Sequence, residues 1–361
     1  MSAADRVGER GLRWLIGEGH DSEIVLSTRV RIARNLQGFT FASRATPDER
    51  QRVEARVREA VEVVPSLSEA LFFEMSELER LDRELLLERH LVSHDLVGDG
   101  EGPPPHSGLV LSEEDALGMM FNEEDHLRLQ TLVNGLQLER AWERVDQLDE
   151  ELSQRLPFAF HHEFGFLTSC PTNAGTGLRA SVLIHLPGLV LTKEINQVLQ
   201  GISQVGLTFR GFYGEGSEVV GNFFQVSNQT TLGKSEAELV DHLGKIVGKV
   251  IEYEKRARSV LLREAPAVLE DKVWRAYGIL RHARSLAFDE MMNLLSGVRL
   301  GLSLKLIRGV RVETLNRIMI FAQQAHLQRA AGRTLDEIET DVRRASYVRE
   351  QLASGAGGRQ E

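Results

Sequence analysis

The sequence predicts an α+β fold: an antiparallel sheet flanked by helices, followed by an all-helical region. Three observations carry this. Between residues 24 and 227, short apolar runs of strand length outnumber helical patterns and are mostly joined by short turns, which favours antiparallel pairing. A long helical pattern then runs from Glu236 to about Arg263, and Pro266 breaks it. From Leu269 onward every segment has helical spacing.

In chain order, residues 8–18 read as a short helix around Leu12, Trp14, Leu15 and Ile16, and residues 24–27 as a strand leading into Arg29 and Arg31. Thr46-Pro47-Asp48-Glu49 opens a helix, with Thr46 as cap, Pro47 in the first turn and acids at the positive end. Val53, Val57, Ala60 and Val61 give it an apolar stripe. Residues 71–75 read as a strand, and Ser76-x-x-Glu79 as a capping box before Leu78, Leu81 and Leu85. Residues 97–106 form a loop, because three consecutive prolines cannot sit in a helix or a central strand. Residues 109–112 and 116–121 are a strand pair, 136–156 a half-exposed helix and 164–167 another strand. Further strands are expected at 180–186, 207–210 and 219–227, with a break at Pro187-Gly188 and a helix at 194–204. Ser235 caps the long helix. The domains expected are 21–257 for the sheet and its helices and 258–353 for the helical region, with a disordered glycine-rich tail at 354–361.

With 361 residues, 42% apolar and 27% charged, the chain has the composition of a soluble protein large enough for two domains. A formal charge of −10 argues against nucleic acid as a partner. One cysteine cannot form an internal disulfide, which fits a reducing compartment. No apolar stretch reaches membrane-spanning length and no signal core is present, so a cytoplasmic location with no membrane association is expected.

Three stretches concentrate chemistry. Ser169-Cys170-Pro171-Thr172-Asn173-Ala174-Gly175-Thr176-Gly177-Leu178-Arg179 holds the lone cysteine, a glycine turn able to bring N–H groups to an anion, and an arginine suited to phosphate oxygens. Asn122-Glu123-Glu124-Asp125-His126-Leu127-Arg128 places three consecutive carboxylates at a strand end, where they repel unless cations balance them. Ser27-Thr28-Arg29-Val30-Arg31 puts two arginines on one strand face.

Together these stretches resemble the phosphagen (guanidino) kinase family, which carries S-x-R-x-R, N-E-E-D-H-L-R and C-P-[ST]-N-x-G-T-G-x-R in this order. Arg210-Gly211, a glycine-rich loop and Val226-Ser227-Asn228 give a fourth match, and the resemblance spans about residues 21–257. It is closer to the bacterial protein-arginine kinases than to the small-molecule enzymes. The chain starts almost directly with the catalytic part, the loop 210–218 is similar to theirs, and a helical C-terminal extension follows.

The resemblance implies phosphoryl transfer from ATP, with Mg²⁺ held by phosphates and water and no protein metal cage, to arginine side chains of proteins. It implies Glu124 as catalytic base, Glu123 as its charge-balancing neighbour, Glu215 as a second carboxylate on the guanidinium, and Cys170 as a thiolate that orients it. It also implies Arg29, Arg31, Arg128, Arg179 and Arg210 as phosphate-binding arginines and His90 near the nucleotide base. The nucleotide is further expected to meet Ser27, Thr28, Val30, Ala180, Ser181, Val182, Leu183, Gly211, Phe212, Tyr213 and Gly214. The partners implied are a zinc-binding activator, a heat-shock repressor and a Clp protease in protein quality control. An R-D-x-x-R-A motif that binds phosphoarginine is matched by Asp341, Arg344 and Ala345, with Thr340 in place of the leading arginine. A homodimer is expected through the apolar residues Leu300, Leu302, Leu304, Leu306, Ile307, Leu315, Ile318, Met319 and Phe321. The competing readings are a kinase of free arginine or another small guanidino compound, and a non-catalytic phosphoarginine-binding adaptor.

Overall fold

Thr46 accepts from the Glu49 amide, and the Glu49 carboxylate reaches back to the Thr46 amide at 2.9 Å. The first long helix therefore starts where its capping chemistry dictates. The computed structural model describes residues 6–8, 12–19, 21–98, 100, 102–112, 116–212 and 219–355. In chain order the elements begin β1 (Val25–Arg34), α1 (Pro47–Val61), β2 (Leu71–Glu74), α2 (Arg80–Glu88), α3 (His94–Val97), β3 (Gly108–Leu111) and β4 (Gly118–Phe121). Then come β5 (Leu127–Asn134), α4 (Leu138–Ser153), β6 (Phe160–His161), β7 (Gly165–Phe166), β8 (Leu178–His185), α5 (Pro187–Leu191), α6 (Ile195–Gln204), β9 (Leu207–Arg210) and β10 (Phe223–Asn228). The helical region is α7 (Glu236–Glu264), α8 (Pro266–His282), α9 (Phe288–Ser303), α10 (Val312–Phe321), α11 (Gln324–Ala331) and α12 (Glu337–Gly355).

The chain divides into two compact units. The first comprises Met1–Trp14, Ser27–Ser181 and Ser227–Gly244. Its strands run in the order β2-β3-β4-β5-β1-β8, with antiparallel pairing from β2 through β1. α4 packs on β5 and buries Ala141, Val145, Leu148 and Leu152 along one stripe. β6 and β7 form a separate hairpin.

The second unit comprises Leu15–Leu26, Val182–Val226 and Lys245–Glu361, with strand order β8-β10-β9. Its helical core is α8 on α9, joined by α10 and α12. Of the residues expected to form a dimer surface, Leu300, Ile307, Leu315, Ile318 and Met319 are at most 2% exposed. These five belong to the interior of the unit's own helices, while Leu302, Leu304, Leu306 and Phe321 are half-buried.

Two local expectations differ from the structure. Around residues 8–18 the described helix is only a 3-10 turn at Arg13–Leu15. Met75–Glu77 is also a 3-10 turn, and α2 begins after Glu79 with no side-chain cap, so the Ser76 capping box does not form. Pro187 follows the end of β8 at His185, where the break was expected, and it also starts α5, since its fixed φ suits a first helical turn.

Candidate active site

The register of β1 on β5 sets Arg29 opposite Leu132, Arg31 opposite Gln130 and Ala33 opposite Arg128. Directly opposed residues share a face, and so do residues two apart. Arg29, Arg31 and Arg128 therefore lie on one face, while Val30 and Ile32 are fully buried on the other. Burial lowers the Arg29 guanidinium to about 10. It pulls Arg31 well down, and the charges of Arg29, Arg128 and Arg179 push it further; Glu123 opposes them. Nε of Arg31 is buried without a hydrogen-bond partner. Four guanidinia this close repel one another, and an anion between them relieves the repulsion. A polyphosphate fits that requirement, with forked donors matching its oxygens.

The turn from β4 to β5 carries the carboxylates. Asn122 starts it at φ 52°, the left-handed region that Asn tolerates. Its amide nitrogen donates to the Arg50 and His106 carbonyls, each at 2.8 Å. Arg128 reaches back across the turn: Nη1 donates to Glu123 Oε1 and Nη2 to Glu124 Oε2, each at 2.7 Å. Glu123 is fully buried and also accepts from the Ser93 hydroxyl. Glu124 is the accessible one, with its side chain 38% exposed. Burial raises the Glu124 carboxyl above its ordinary value; Arg128 opposes this, and Asp125 and Glu123 add to it. Burial pulls Arg128 down, but Glu123 and Glu124 outweigh it and the net direction is up.

Asp125 and His126 fasten the turn to the other two stretches. Asp125 Oδ1 accepts from the Asn35 amide and from the Ser169 backbone N–H, each at 2.6 Å. Asn35 Oδ1 accepts from the His126 amide at 2.9 Å. His126 Nδ1 accepts from the Leu36 amide at 3.0 Å, so the proton sits on Nε2, which donates to the Thr40 carbonyl at 2.9 Å. Burial lowers the His126 pKa, consistent with this neutral tautomer. Asn35, Ser93 and the junction role of Asp125 were not singled out from sequence. Asp125 lay inside a quoted motif and Asn35 shortly after one, whereas Ser93 lies in none of them.

Cys170 is partly exposed and precedes a 3-10 turn, Pro171–Asn173. Its Sγ lies 3.0 Å from Thr172 Oγ1, and its carbonyl accepts from Thr168 Oγ1 at 2.7 Å. The glycine turn is a packing junction, not an anion cradle. The Gly175 amide donates to the Phe166 carbonyl and the Thr176 amide to the Thr231 carbonyl. Gly175 has φ 106°, and a Cβ there would lie 2.4 Å from the Thr231 carbonyl oxygen; Gly177 has φ 66°, and a Cβ there would lie 2.5 Å from that of Ala33. Arg34 closes the junction, donating to the Thr176 carbonyl at 2.8 Å, pairing with Asp149 at 2.6 Å and lying over the Phe166 ring at 3.5 Å.

Arg179 in β8 contacts the Ser227 hydroxyl at 3.4 Å, and Asn228 fastens the flanking Ala180 amide and Leu178 carbonyl. The carbonyl of His90, a residue at φ 61°, accepts from Arg29 at 3.3 Å, and its ring packs edge-on to Trp14. Burial holds His90 well below its usual pKa. Ser27, Thr28 and Val30 are interior to β1; Thr28 Oγ1 donates to the Gly135 carbonyl at 2.6 Å and accepts from the Gln137 amide. Ala180 and Ser181 in the first unit, and Val182 and Leu183 in the second, are buried along β8. Arg210 ends β9 in the second unit, followed by Gly211 and buried Phe212. Tyr213, Gly214 and Glu215 lie outside the described residues.

In α12, Arg344 is 4% exposed and Ala345 fully buried. Arg344 Nε donates to the Ala322 carbonyl at 2.9 Å and Nη1 to the Leu286 carbonyl at 2.7 Å, with Asp341 paired to it. Thr340 is buried and donates to the Asp336 carbonyl at 2.6 Å. Three of the five N–H donors of Arg344 are thus engaged within the helical core. Among the described residues, no group of three or more His, Cys, Asp or Glu is placed to hold a metal ion. The carboxylates Glu123 and Glu124 are engaged by Arg128, and Glu123 also by Ser93.

The family model for the C-terminal catalytic domain of ATP:guanido phosphotransferases matches residues 52–257, and that for the protein-arginine kinase McsB C-terminal domain matches residues 266–361. Protein-arginine kinases from Halothermothrix orenii and Moorella thermoacetica are 43% and 45% identical, covering 98% and 96% of this chain and 99% and 98% of theirs. The crystal structure of lombricine kinase superposes with TM-score 0.60 at 25% identity, covering 68% of this chain and 70% of that one. The chain belongs to the ATP:guanido phosphotransferase family and, within it, to the protein-arginine kinases.

Proposed function

We propose that this protein transfers the γ-phosphoryl group of ATP to a guanidinium nitrogen of arginine side chains in proteins. The observation that carries the reading is the arginine face of β1 and β5 with Glu124 held beside it by Arg128. Arg29, Arg31, Arg128 and Arg179 bind the phosphates and offset the charge that develops on the transferring group. Arg210 belongs to the same proposed set. Mg²⁺, held by phosphate oxygens and water, supplies further neutralisation there.

The acceptor guanidinium is cationic and needs a proton acceptor to become nucleophilic. Glu124 holds it in line and takes its proton as the N–P bond forms, while the bond from the γ-phosphorus to the bridging oxygen breaks and ADP leaves with the electron pair. A raised Glu124 pKa makes it a better proton acceptor once ionised. Glu123, fully buried, fixes Arg128 from the other side. Cys170, partly exposed on the adjoining turn, orients the guanidinium, and Glu215 is its proposed second carboxylate.

We further propose a catalytic segment at 21–257 and a regulatory helical segment at 258–353; the two family matches, ending at 257 and starting at 266, support that division. The proposed setting is cytoplasmic quality control, with a zinc-binding activator, a heat-shock repressor and a Clp protease as partners. No described helix is long and apolar enough to cross a membrane.

The test is incubation with γ-labelled ATP and Mg²⁺ together with either free arginine or an unfolded arginine-containing protein, followed by acid. Acid-labile label on protein arginines is expected, because an N–P bond hydrolyses where a phosphoserine survives. Label on free arginine alone, or acid-stable label, refutes the reading.

A further inference from the structure

Arg299 is a buried charge for which phosphoryl transfer gives no role. It sits in α9, 1% exposed. Nε donates to the Glu23 carbonyl at 3.3 Å, Nη2 to the Ser22 carbonyl at 2.6 Å and Nη1 to Asn316 Oδ1 at 2.6 Å. All three acceptors are neutral. A guanidinium has five N–H donors; three are used, which leaves one on each terminal nitrogen without a partner among the described residues. Burial, with Arg258 beside it, lowers Arg299 to about 9, against the opposing pull of Glu23. A desolvated cation in this state is stabilised by any anion that reaches it.

Arg299 lines a cavity of about 360 Å³. Arg308 is exposed at this cavity and Ser303 adds a hydroxyl, while Leu302 and Ile307 contribute apolar wall. Among the described residues, Glu23 is the one carboxylate lining it. The wall also includes Val312, the first residue of α10, whose N-terminus has no side-chain cap. A helix start adds oriented N–H groups and the positive end of the dipole. All of these residues lie in the second unit.

We propose that this cavity binds a phosphate monoester carried on a short apolar body. Two guanidinium forks and a helix start offer more donors than the two oxygens of a carboxylate accept, and suit the three terminal oxygens of a phosphate. The volume is at the small end for ligand sites, and the apolar wall takes the body of the ester. The site is independent of the catalytic reading.

The test is calorimetric titration of phenyl phosphate and of inorganic phosphate into the full chain preloaded with Mg²⁺ and a non-hydrolysable ATP analogue. Preloading occupies the arginines of β1, β5 and β8. One equivalent of phenyl phosphate should bind, more tightly than inorganic phosphate. Arg308→Ala, at an exposed position, should weaken it roughly tenfold, the loss of one charge-assisted contact. Leu302→Trp should fill the cavity and remove binding, and Lys272→Ala on exposed α8 should leave it unchanged. No binding to the preloaded chain, or binding that survives both Arg308→Ala and Leu302→Trp, overturns the proposal. Equal affinity for the two probes overturns the apolar body.

Discussion

Glu123 and Glu124 are sequence neighbours held to different ends. Glu123 is fully buried between Ser93 and Arg128, whereas Glu124 shares Arg128 and keeps 38% of its side chain exposed. Of these two, Glu124 is the one exposed enough to meet the acceptor guanidinium of the proposed reaction. Glu124→Gln should lower kcat roughly 10²–10⁴-fold, the usual worth of a positioned general base, and change ATP affinity little. Single-turnover rates and nucleotide titration on the same variant check both halves. The pH dependence follows from the direction of the Glu124 shift. A base works ionised, so activity should fall as pH drops through its pKa. Because burial raises that pKa, the acid limb of kcat/KM should lie above the ordinary carboxylate value of about 4.3, and should vanish from the residual activity of Glu124→Gln. A limb at the ordinary value contradicts the assignment. Cys170, accessible beside Thr172, gives a third residue-scale expectation. Cys170→Ala should cut turnover while nucleotide affinity stays within a few-fold, and bound ATP plus substrate should protect the wild type from alkylation. Undiminished turnover after complete alkylation would remove Cys170 from the site.

At the scale of elements, what was legible depended on whether the determining chemistry was local. The Thr46 capping box is a four-residue device, and it forms. Ser76-x-x-Glu79 has the same letters but fails, because residues 75–77 take a 3-10 turn directly after β2. The run 164–167 reads as a strand, yet only Gly165 and Phe166 pair, in a hairpin whose position is set by the Phe166–Gly175 bridge and by Arg34. The glycine turn misled for the same reason: its amides answer to Phe166 and Thr231, partners remote in sequence. Asp125 joins three elements through two 2.6 Å bonds, one to the end of the β1 stretch and one to the cysteine stretch. It is fully buried. Asp125→Ala leaves the Asn35 amide and the Ser169 N–H without that acceptor and should cost about 3 kcal/mol. It should also raise KM for the acceptor more than for ATP, since the Cys170 turn loses its anchor while the arginine face of β1 and β5 remains. Urea unfolding with paired KM values measures this, and an equal rise in both KM values contradicts the anchoring role.

Across the whole molecule, the stretches proposed to be catalytic were readable because each carries its chemistry within about ten residues, whereas the helical region was not. Leu300, Leu315 and Ile318 look like surplus apolar surface along the sequence; only the packing of α8, α9, α10 and α12 shows that they are the core. The pair Asp341 and Arg344 read similarly well as ligand-binding residues or as the exposed face of a terminal helix, and the structure makes Arg344 neither exposed nor idle. Its guanidinium ties α12 to the Ala322 carbonyl at the end of α10 and to the Leu286 carbonyl before α9, with its charge balanced by Asp341. Arg344→Ala removes these bonds and leaves two buried carbonyls short of a donor, a loss of about 3 kcal/mol. Arg344→Lys should recover little, since an ammonium lacks the fork that reaches both carbonyls. Thr340 is 5% exposed, so Thr340→Arg must bury a guanidinium in place of a hydroxyl that bonds Asp336 and should destabilise as well. None of the three should alter ATP affinity, because Arg29, Arg31, Arg128 and Arg179 belong to the other unit and the bonds of Arg344 and Thr340 named here do not involve Arg210. Thermal unfolding with nucleotide titration separates the two effects. Full stability of Arg344→Ala, or a stability loss matched by loss of ATP binding in the still-folded protein, would show that Arg344 is not the structural tie described.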